Sequence, residues 1–497
     1  MKTVLTILIS LLVLVFFFSA LYVFELPPFN PGGPFYSADK SPTQQTMEEM
    51  PEFLSEEKIG RAKTYGEYMN RGKMLEDNGY YALAVAEYEA ADKLAPNNTE
   101  PLIEIGRIHL RENDFMRAKL AFEQALEIEP DNLDAKIYLV RALLADRKIT
   151  EAQKVISGLS EQNQNSKYYE GIIAAYFGDY DKSKNLLKEA INIGTSDDIT
   201  RKAQNFLSAF DEFDFNQGGS QVHLKTLLAR SFNQTGQYNM AIPLLFEVIK
   251  EKKDYRDSWI LLGYAYLNIE KFQDAAEALE EAKKLDPQKP ETLFYLGLAH
   301  FGLNDLAEAA SNLELAKKNG YQPEVQIDQK LAEIYLQLKN YSSAAKAYEN
   351  VVSLNDENVY YYIKPIWIYI DRLNQPDKAM ALAKKAYSSH PREAMSFNLL
   401  GWAAVSSNEL KEAEDYLNKA LSIDPHLDAI YLNIGILNEK KGNFSQAISY
   451  YRKAFDMGSG NSISAAAADH YNRLIGKTDN LSYATPGIQK LPLTYLK

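Results

Sequence analysis

The residues of this 497-residue sequence that could carry out chemistry are six histidines, one Gly-Lys-Thr triplet and one acidic segment. No histidine has a second histidine or a carboxylate at metal-ligand spacing. His109 and His300 stand where a helix would pack on its neighbour, which favours a core role. The triplet at residues 476–478 lacks the glycine that a phosphate loop needs five residues earlier, where Tyr471 stands, and no strand precedes it. Neither group predicts a catalytic centre.

The acidic segment is Asp211–Gly219, which contains carboxylates and an asparagine that could bind Ca²⁺. It lacks the glycine and the terminal glutamate of an EF-hand loop, so a solvated loop is the favoured interpretation. The chain has no cysteine, which excludes disulfides, thiolate metal sites and cysteine nucleophiles. The sequence therefore predicts no catalytic residue, no metal and no cofactor, and we do not expect an enzyme.

The charge balance of the chain excludes one class of partner, nucleic acid. Acidic residues outnumber basic ones, 67 to 54, and the formal net charge is −13. Proteins that bind duplex nucleic acid need clustered Lys and Arg to displace counterions. A chain this acidic would be repelled by phosphate, so the sequence predicts no nucleic-acid partner.

The N-terminal residues predict a membrane segment. After Lys2 come 22 uncharged and mostly apolar residues, long enough at about 1.5 Å each to cross a bilayer core of about 30 Å. Phe18 is a poor residue for a signal-peptidase site that would end at Ala20, which favours an uncleaved transmembrane signal anchor over residues 1–24. Lys2 places the N-terminus in the cytoplasm and the rest outside it. Six prolines in residues 25–56 predict a Pro/Gly-rich tether.

A 34-residue spacing organises most of the remaining chain. Gly401 recurs as Gly435 and Ala413 as Ala447. Small residues at such spacing mark places where two helices touch closely, large residues at helical spacing fill the gaps, and proline ends the second helix. The same register relates Gly72 to Gly106, Ala84 to Ala118, Tyr88 to Phe122, Pro96 to Pro130 and Gly263 to Gly297.

This pattern resembles the tetratricopeptide repeat (TPR), in which each unit is a pair of antiparallel helices. In one unit the resemblance rests on Phe397, Leu400, Gly401, Ala413, Leu417, Ala420 and Pro425. Eleven units are predicted, centred near residues 72, 106, 140, 171, 229, 263, 297, 332, 367, 401 and 435. The resemblance implies an all-α fold, a right-handed α-solenoid superhelix of about eleven TPR helix pairs preceded by the transmembrane helix.

Departures from the period set the predicted boundaries. The interval between the units at 171 and 229 is 58 residues, so residues 197–220 are predicted as an irregular helix and loop, a candidate hinge. It separates four repeats in residues 57–196 from seven in residues 221–459. Residues 460–475 are predicted as a capping helix over the last apolar face, and residues 476–497 as a flexible tail.

In the TPR family the first helices line a concave groove that takes an extended peptide or a partner's helix. The ninth position of each unit resembles those that face the groove, and in the first half it is mostly basic: Lys73, Arg107, Arg141 and Arg230. Such a row would suit a carboxylate-rich peptide or a C-terminus, because arginine holds a carboxylate with two parallel hydrogen bonds. The alternative is local pairing, because Glu76 and Glu104 lie three residues from Lys73 and Arg107.

The second half of the predicted groove is apolar. Its inner stripe contains Ile260, Tyr264, Phe294, Leu298 and Phe301, and Trp402 follows a signature glycine. A helix that is apolar on every face is normally buried. Either the superhelix covers these side chains, or an apolar segment lies against them, such as the chain's own tail "IQKLPLTYLK".

Two functions of different kind agree with this organisation. The first is a membrane-anchored scaffold that presents a TPR groove outside the cytoplasm and assembles or stabilises an envelope complex of secretion, pilus or motor type. The second is a cytosol-facing cargo or chaperone receptor, resembling the mitochondrial import receptor. Orientation discriminates the two, whereas an enzyme would require an unrecognised active site. The predicted partners are other proteins and, through the N-terminal helix, the membrane; a homo-oligomer is a further expectation because arrays with apolar faces often self-associate.

Overall fold

The computed structural model of the protein describes residues 62–159, 163–215, 220–458, 461–478 and 491. These residues contain 24 α-helices and no strand, so the predicted all-α class is confirmed for the described part of the chain. None of these helices is long and apolar enough to cross a membrane. The predicted transmembrane helix and tether lie outside the described residues.

The helices follow one another with short turns. In chain order they are α1 (Tyr65–Asp77), α2 (Tyr81–Leu94), α3 (Glu100–Arg111), α4 (Phe115–Ile128), α5 (Leu133–Ala145), α6 (Ile149–Ser157), α7 (Gln164–Tyr176), α8 (Tyr180–Ile193), α9 (Asp197–Phe215), α10 (Gln221–Gln234), α11 (Tyr238–Glu251), α12 (Arg256–Asn268), α13 (Phe272–Leu285), α14 (Pro290–Gly302), α15 (Leu306–Lys318), α16 (Glu324–Gln337), α17 (Tyr341–Leu354), α18 (Ile363–Trp367), α19 (Pro376–Ser389), α20 (Ala394–Ser406), α21 (Leu410–Ile423), α22 (Asp428–Lys440), α23 (Phe444–Gly458) and α24 (Ser462–Thr478). A 3₁₀ helix, Val359–Tyr362, precedes α18, and a π-helix, Ile368–Arg372, follows it. The described residues fall into two compact units, one ending at Ala299 and the other beginning at His300.

A left-handed turn residue separates the two helices of every pair. Eleven such residues, with φ between 50° and 85°, lie one to each predicted repeat: Gly79, Asn113, Arg147, Gly178, Gly236, Glu270, Asn304, Lys339, Asn374, Asn408 and Gly442. A residue in this conformation ends the first helix and reverses the chain within a few residues. Only four of the eleven are glycines, so the backbone turn recurs more regularly than the residue type that favours it.

Inside a pair, the signature glycine lies against a large side chain of the second helix. A Cβ on Gly106 would lie 2.4 Å from the Phe122 ring, and one on Gly263 would lie 2.4 Å from Leu279. The same contact joins Gly72 to Tyr88, Gly401 to Leu417 and Gly435 to Tyr451. The close approach of the two helices is the physical reason for the 34-residue glycine spacing.

Consecutive first helices, and helices α7 and α9, are also joined by polar side chains at about the repeat interval. In the first unit the Tyr65 hydroxyl donates to Glu100 at 2.6 Å, and Gln164 donates to Thr200 at 2.9 Å. In the second unit Asn433 donates to Asn398 at 2.9 Å, with both side chains buried. Buried amides at a helix interface require such partners, so these bonds fix the stacking register.

Helix α9 has no partner helix of its own, and it packs into the first unit. Phe206, which is fully buried, meets Tyr168 of α7 edge-on at 6.4 Å and Phe232 of α10 at 4.9 Å. The sequence predicted a solvated loop from Asp211 onwards, but the helix continues to Phe215. It continues because Phe213 packs against the same core and Asp214 pairs with Lys184 at 3.0 Å.

The end of α5 and the start of α11, which lie on either side of α9 in the sequence, are linked directly to each other. The Asn239 amide donates to the Ala145 carbonyl at 2.6 Å, and Arg147 donates to the Asn239 side-chain oxygen at 3.0 Å. Ala145 ends α5 and Arg147 lies in the turn after it, whereas Asn239 lies at the start of α11. These bonds connect the third helix pair directly to the fifth.

The last helix, α24, covers the second helix of the final pair. The Tyr451 hydroxyl donates to Glu439 at 2.6 Å, and Arg473 of α24 approaches Glu439 at 3.3 Å. Helix α24 runs to Thr478 instead of ending near residue 475, so the Gly-Lys-Thr triplet is helical. Apart from these residues and Leu491, the predicted tail lies outside the described residues.

Candidate partner-binding surface

Three basic side chains and one tyrosine form a row on the first helices of pairs one to three, which we call the basic stripe: Lys73, Arg107, Tyr138 and Arg141. The guanidinium carbons of Arg107 and Arg141 lie 5.7 Å and 5.1 Å from the centre of the Tyr138 ring. A ring face attracts a cation by its quadrupole. The two arginines therefore share one aromatic platform that bridges α3 and α5.

The platform is anchored in the core. Tyr138 stacks on Phe122 with ring centres 5.6 Å apart and planes 15° apart, and Phe122 is fully buried. On the next first helix, burial raises the pKa of Tyr169, and the charge of Arg141 opposes that increase. Arg141 thus lies over a ring that is held in place by the packing of the core.

Most cations predicted for the groove already have carboxylate partners. Lys73 lies 3.0 Å from Asp77 and 3.9 Å from Glu76, and its pKa is raised first by the hydrogen bond to Asp77 and then by the charge of Glu76. Arg107 lies 2.7 Å from Glu104. The local pairing that the sequence left open is therefore present at both residues.

Arg230 differs from the other three cations in its burial. Its side chain is only 13% exposed, and its guanidinium pairs with Glu212 of α9. A ligand carboxylate would have to displace Glu212 to reach it. Its predicted role in binding stays a prediction, and its position makes it a link between α9 and α10.

Arg141 is the exposed member of the basic stripe without a carboxylate within 4.0 Å among the described residues. A guanidinium has five N–H donors in a planar fork, and the Tyr138 ring occupies only its face. The edge of the fork is left to bind a carboxylate through two parallel hydrogen bonds. Arg141 is thus the strongest single candidate for contact with an acidic ligand.

The apolar stripe of the first unit is part of its core. Ile260, Tyr264, Phe294 and Leu298 are between 2% and 7% exposed. Tyr264 meets Tyr238 at 6.3 Å and Tyr295 at 5.3 Å, both edge-on. These contacts agree with the interpretation that the array itself covers the stripe, and a ligand could reach these four side chains only after a conformational change.

The two remaining predicted residues belong to the second unit and are half-buried. The Lys330 ammonium lies 4.2 Å from the centre of the Phe301 ring and 2.7 Å from Glu333. Trp402 packs against the cluster that contains Leu399 and Ala403. The basic stripe belongs to the first unit, so neither residue is part of it.

The residues considered for chemistry have structural contacts instead. His109 lies 3.8 Å from Glu112, and burial lowers its pKa. His300 lies 3.4 Å from Asp305. Among the described residues no group of three His, Asp or Glu side chains could hold a metal ion.

Sequence reasoning missed Tyr138, although a signal for it exists. Tyr138 precedes Arg141 by three residues, and residues three apart lie on the same face of a helix. The ninth position of each repeat predicts the cations of the stripe but passes over their aromatic neighbour. A second missed residue is Asn472 of α24, which contacts Leu491 of the tail.

Comparison with known proteins gives concordant results. Three family models, each described as "Tetratricopeptide repeat", match residues 109–176; residues 226–290, 260–323 and 371–428; and residues 68–98, 329–358 and 429–457. Together they span most of the described helices.

Relatives are distant. A peroxisomal targeting signal receptor of Saccharomyces cerevisiae is 25% identical over 225 residues, which are 43% of this chain and 36% of the receptor. The chain thus spans less than half of the length of that receptor. A TPR repeat-containing protein of Methanocaldococcus jannaschii is 22% identical over 439 residues, covering 73% of this chain and 76% of that protein. The crystal structure of yeast Tom70 aligns with 86% of this chain and 90% of its own, at 16% identity and a TM-score of 0.29.

Proposed function

Because this chain belongs to the tetratricopeptide repeat family, we propose that it is a membrane-anchored protein-interaction scaffold whose basic stripe binds an acidic segment of a partner protein. TPR arrays bind other proteins through extended peptides or helices, and this part of the proposal follows from the family. The inner face of a right-handed superhelix of these pairs would present the first helices, and with them the stripe, to the partner.

One observation carries the choice of ligand: Arg141 is exposed, held over Tyr138 beside Arg107, and without a carboxylate partner in the described residues. In a chain of net charge −13, an unneutralised arginine on a rigid aromatic platform is suited to a carboxylate supplied from outside. Lys73 and Arg107 lie beside it and extend the positive row along three repeats. An acidic peptide or a free C-terminus therefore fits this surface best.

We expect Arg141→Glu to weaken the binding of a fluorescent peptide that is rich in Asp and Glu and ends in a free carboxylate by about tenfold or more, since tenfold corresponds to about 1.4 kcal/mol. The charge reversal replaces a two-bond contact with repulsion. Fluorescence anisotropy with the full chain in detergent, repeated at rising salt, measures the effect. Binding by the wild-type chain should weaken as salt rises.

Arg117→Glu is the matched control. Arg117 lies on α4, a second helix, is 70% exposed and pairs with Asp114 at 3.4 Å, so its reversal changes the net charge equally without touching the stripe. We expect this variant to bind the peptide like the wild type. Equal weakening by both reversals would mean that only the overall charge matters, and the stripe would then not be the binding site.

The membrane side of the array is a separate part of the proposal. The apolar residues 3–24 and the single Lys2 support an anchor with the N-terminus in the cytoplasm and the repeats outside it, where they would assemble an envelope complex of secretion, pilus or motor type. The relative described as a peroxisomal targeting signal receptor favours the second candidate, a cytosol-facing receptor. Orientation decides between the two.

Because the chain has no cysteine, one engineered thiol reports orientation without background. We expect the exposed Ser342→Cys to react with a membrane-impermeant maleimide before the cytoplasmic membrane is broken, and a cysteine inserted between Met1 and Lys2 to react only afterwards. Labelling is read by mass shift in spheroplasts and in lysed cells. Reaction of Ser342→Cys only after lysis would favour the receptor.

A further inference from the structure

The tail residue Leu491 is held by the side chain of Asn472, on the last helix. The Leu491 N–H donates to the Asn472 amide oxygen at 2.9 Å, and the Asn472 amide nitrogen donates to the Leu491 carbonyl at 2.9 Å. One carboxamide thus satisfies both backbone groups of one residue, as an asparagine can because it carries an acceptor and a donor. This contact lies outside the eleven repeats.

The Leu491 side chain completes an apolar cluster at the end of the second unit. It is 8% exposed and belongs to the cluster that contains Tyr431, Tyr471 and Ile475. Burying a leucine side chain removes apolar surface from water and so stabilises the bound state. The residue is therefore held twice, by its backbone on Asn472 and by its side chain in the cluster.

Such a pair of contacts is a general way to bind an extended peptide. In an antiparallel sheet, a residue can accept a hydrogen bond from the N–H of the residue opposite and donate one to its carbonyl. The Asn472 carboxamide makes the same two hydrogen bonds to Leu491. Backbone hydrogen bonds supply affinity for any sequence, whereas a side-chain pocket selects the residue. A site built in this way reads a peptide in which leucine occupies the bound position.

The sequence of the tail is suited to this site. Leu491 precedes Pro492, and a residue before proline is biased towards an extended backbone. Twelve residues lie between Thr478 and Leu491, and they can span up to about 43 Å. Asn472 precedes the end of its helix by six residues, about 9 Å, so the tail is long enough to return to it.

We propose that Asn472 and the apolar cluster around Leu491 form a peptide-binding site for an extended segment with leucine before proline, and that Leu491 of the chain's own tail occupies it reversibly. The attached tail acts at a high effective concentration, so it holds the site until it is displaced. This site is distinct from the basic stripe, and the inference does not depend on the proposed function or on the orientation of the membrane anchor.

A labelled peptide of residues 488–497, IQKLPLTYLK, tests the site with full-length proteins. The variant Leu491→Asp should vacate the site, because a charged side chain cannot enter the cluster. We expect this variant to bind the peptide saturably in fluorescence anisotropy, and the wild type to bind it at least tenfold more weakly because its own tail competes. A peptide that carries Leu491→Ala should bind at least tenfold more weakly than the parent peptide.

Two second-site variants locate the binding. Adding Asn472→Ala to Leu491→Asp should weaken the peptide at least tenfold, because both backbone hydrogen bonds are lost. Adding Asn438→Ala should leave the affinity unchanged, since the Asn438 amide donates to Ile434 of its own helix. Circular dichroism and thermal unfolding of each protein confirm that the array is folded.

Three results would overturn the proposal. One is the absence of saturable binding to folded Leu491→Asp at peptide concentrations up to about 1 mM, the range of effective concentration expected for a short linker. Another is binding that Asn472→Ala does not weaken. The third is a wild-type dimer that Leu491→Asp converts to a monomer, because the tail would then occupy the site of a second copy.

Discussion

Replacing Phe206 with alanine is expected to lower the free energy of unfolding of the first unit by about 3–5 kcal/mol. Phe206 is fully buried between the Tyr168 and Phe232 rings, on the one helix that interrupts the pairing of the described array. Its removal leaves a cavity that rigid neighbours on α7 and α10 cannot fill. Chemical denaturation, with hydrogen exchange of the α7–α10 amides, measures the loss.

Phe215→Ala is the control for this prediction. Phe215 ends the same helix and is 83% exposed, so the substitution should change the free energy of unfolding by no more than about 0.5 kcal/mol. The comparison also tests the candidate hinge at residues 197–220. If Phe206→Ala cost no more than Phe215→Ala, helix α9 would be loosely packed in solution and the hinge prediction would gain support.

The second large effect is expected for Gly106→Ala. The new Cβ would lie 2.4 Å from Phe122 Cε1 and 2.7 Å from Cζ. Both distances are shorter than the contacts that Cβ atoms make in proteins. Phe122 is itself fixed, because it is buried and stacked on Tyr138. We expect a loss of about 1–3 kcal/mol in the free energy of unfolding, although alanine is the better helix former by about 1 kcal/mol. Phe122 also holds Tyr138 of the basic stripe in place, so Gly106→Ala should weaken peptide binding as well.

Gly66→Ala provides a matched glycine substitution in the same array. Gly66 lies in α1, and a Cβ added there would meet no atom within 4 Å, so alanine should be neutral or stabilising by up to about 1 kcal/mol. Phe122→Leu should relieve part of the strain of Gly106→Ala, which a double-mutant cycle would record as favourable coupling. Equal stability of Gly106→Ala and Gly66→Ala would contradict the close helix contact.

Local sequence patterns predicted the repeats because each repeat depends on contacts between residues close in the chain. Gly106 and Phe122 are sixteen residues apart and recur with the same spacing, so composition at fixed positions identified the helix pairs. The left-handed turns were harder to recognise. Arg147, Glu270 and Lys339 adopt positive φ because the flanking helices impose it, and none of these residue types signals such a turn.

The candidate surfaces were predictable only where local spacing decides the contact. Ion pairs between residues three or four apart can be recognised from the sequence, as for Lys73 with Asp77 and Arg107 with Glu104. Arg230 and Glu212 are eighteen residues apart and lie on two different helices, so no helical period reveals their pairing. Burial of Tyr264 likewise depends on the packing of successive repeats.

The bonds of Asn239 to Ala145 and Arg147 have a mechanical consequence. In a stack of repeats that touch only their neighbours, a pull on the chain ends can peel away one helix at a time. Here the Asn239 to Ala145 bond joins residues that are 94 apart in the chain. The residues between them therefore carry no force until these bonds break. Their rupture would expose a segment of up to about 340 Å of contour length to the force, so single-molecule extension would record its unfolding steps only after the bonds have broken.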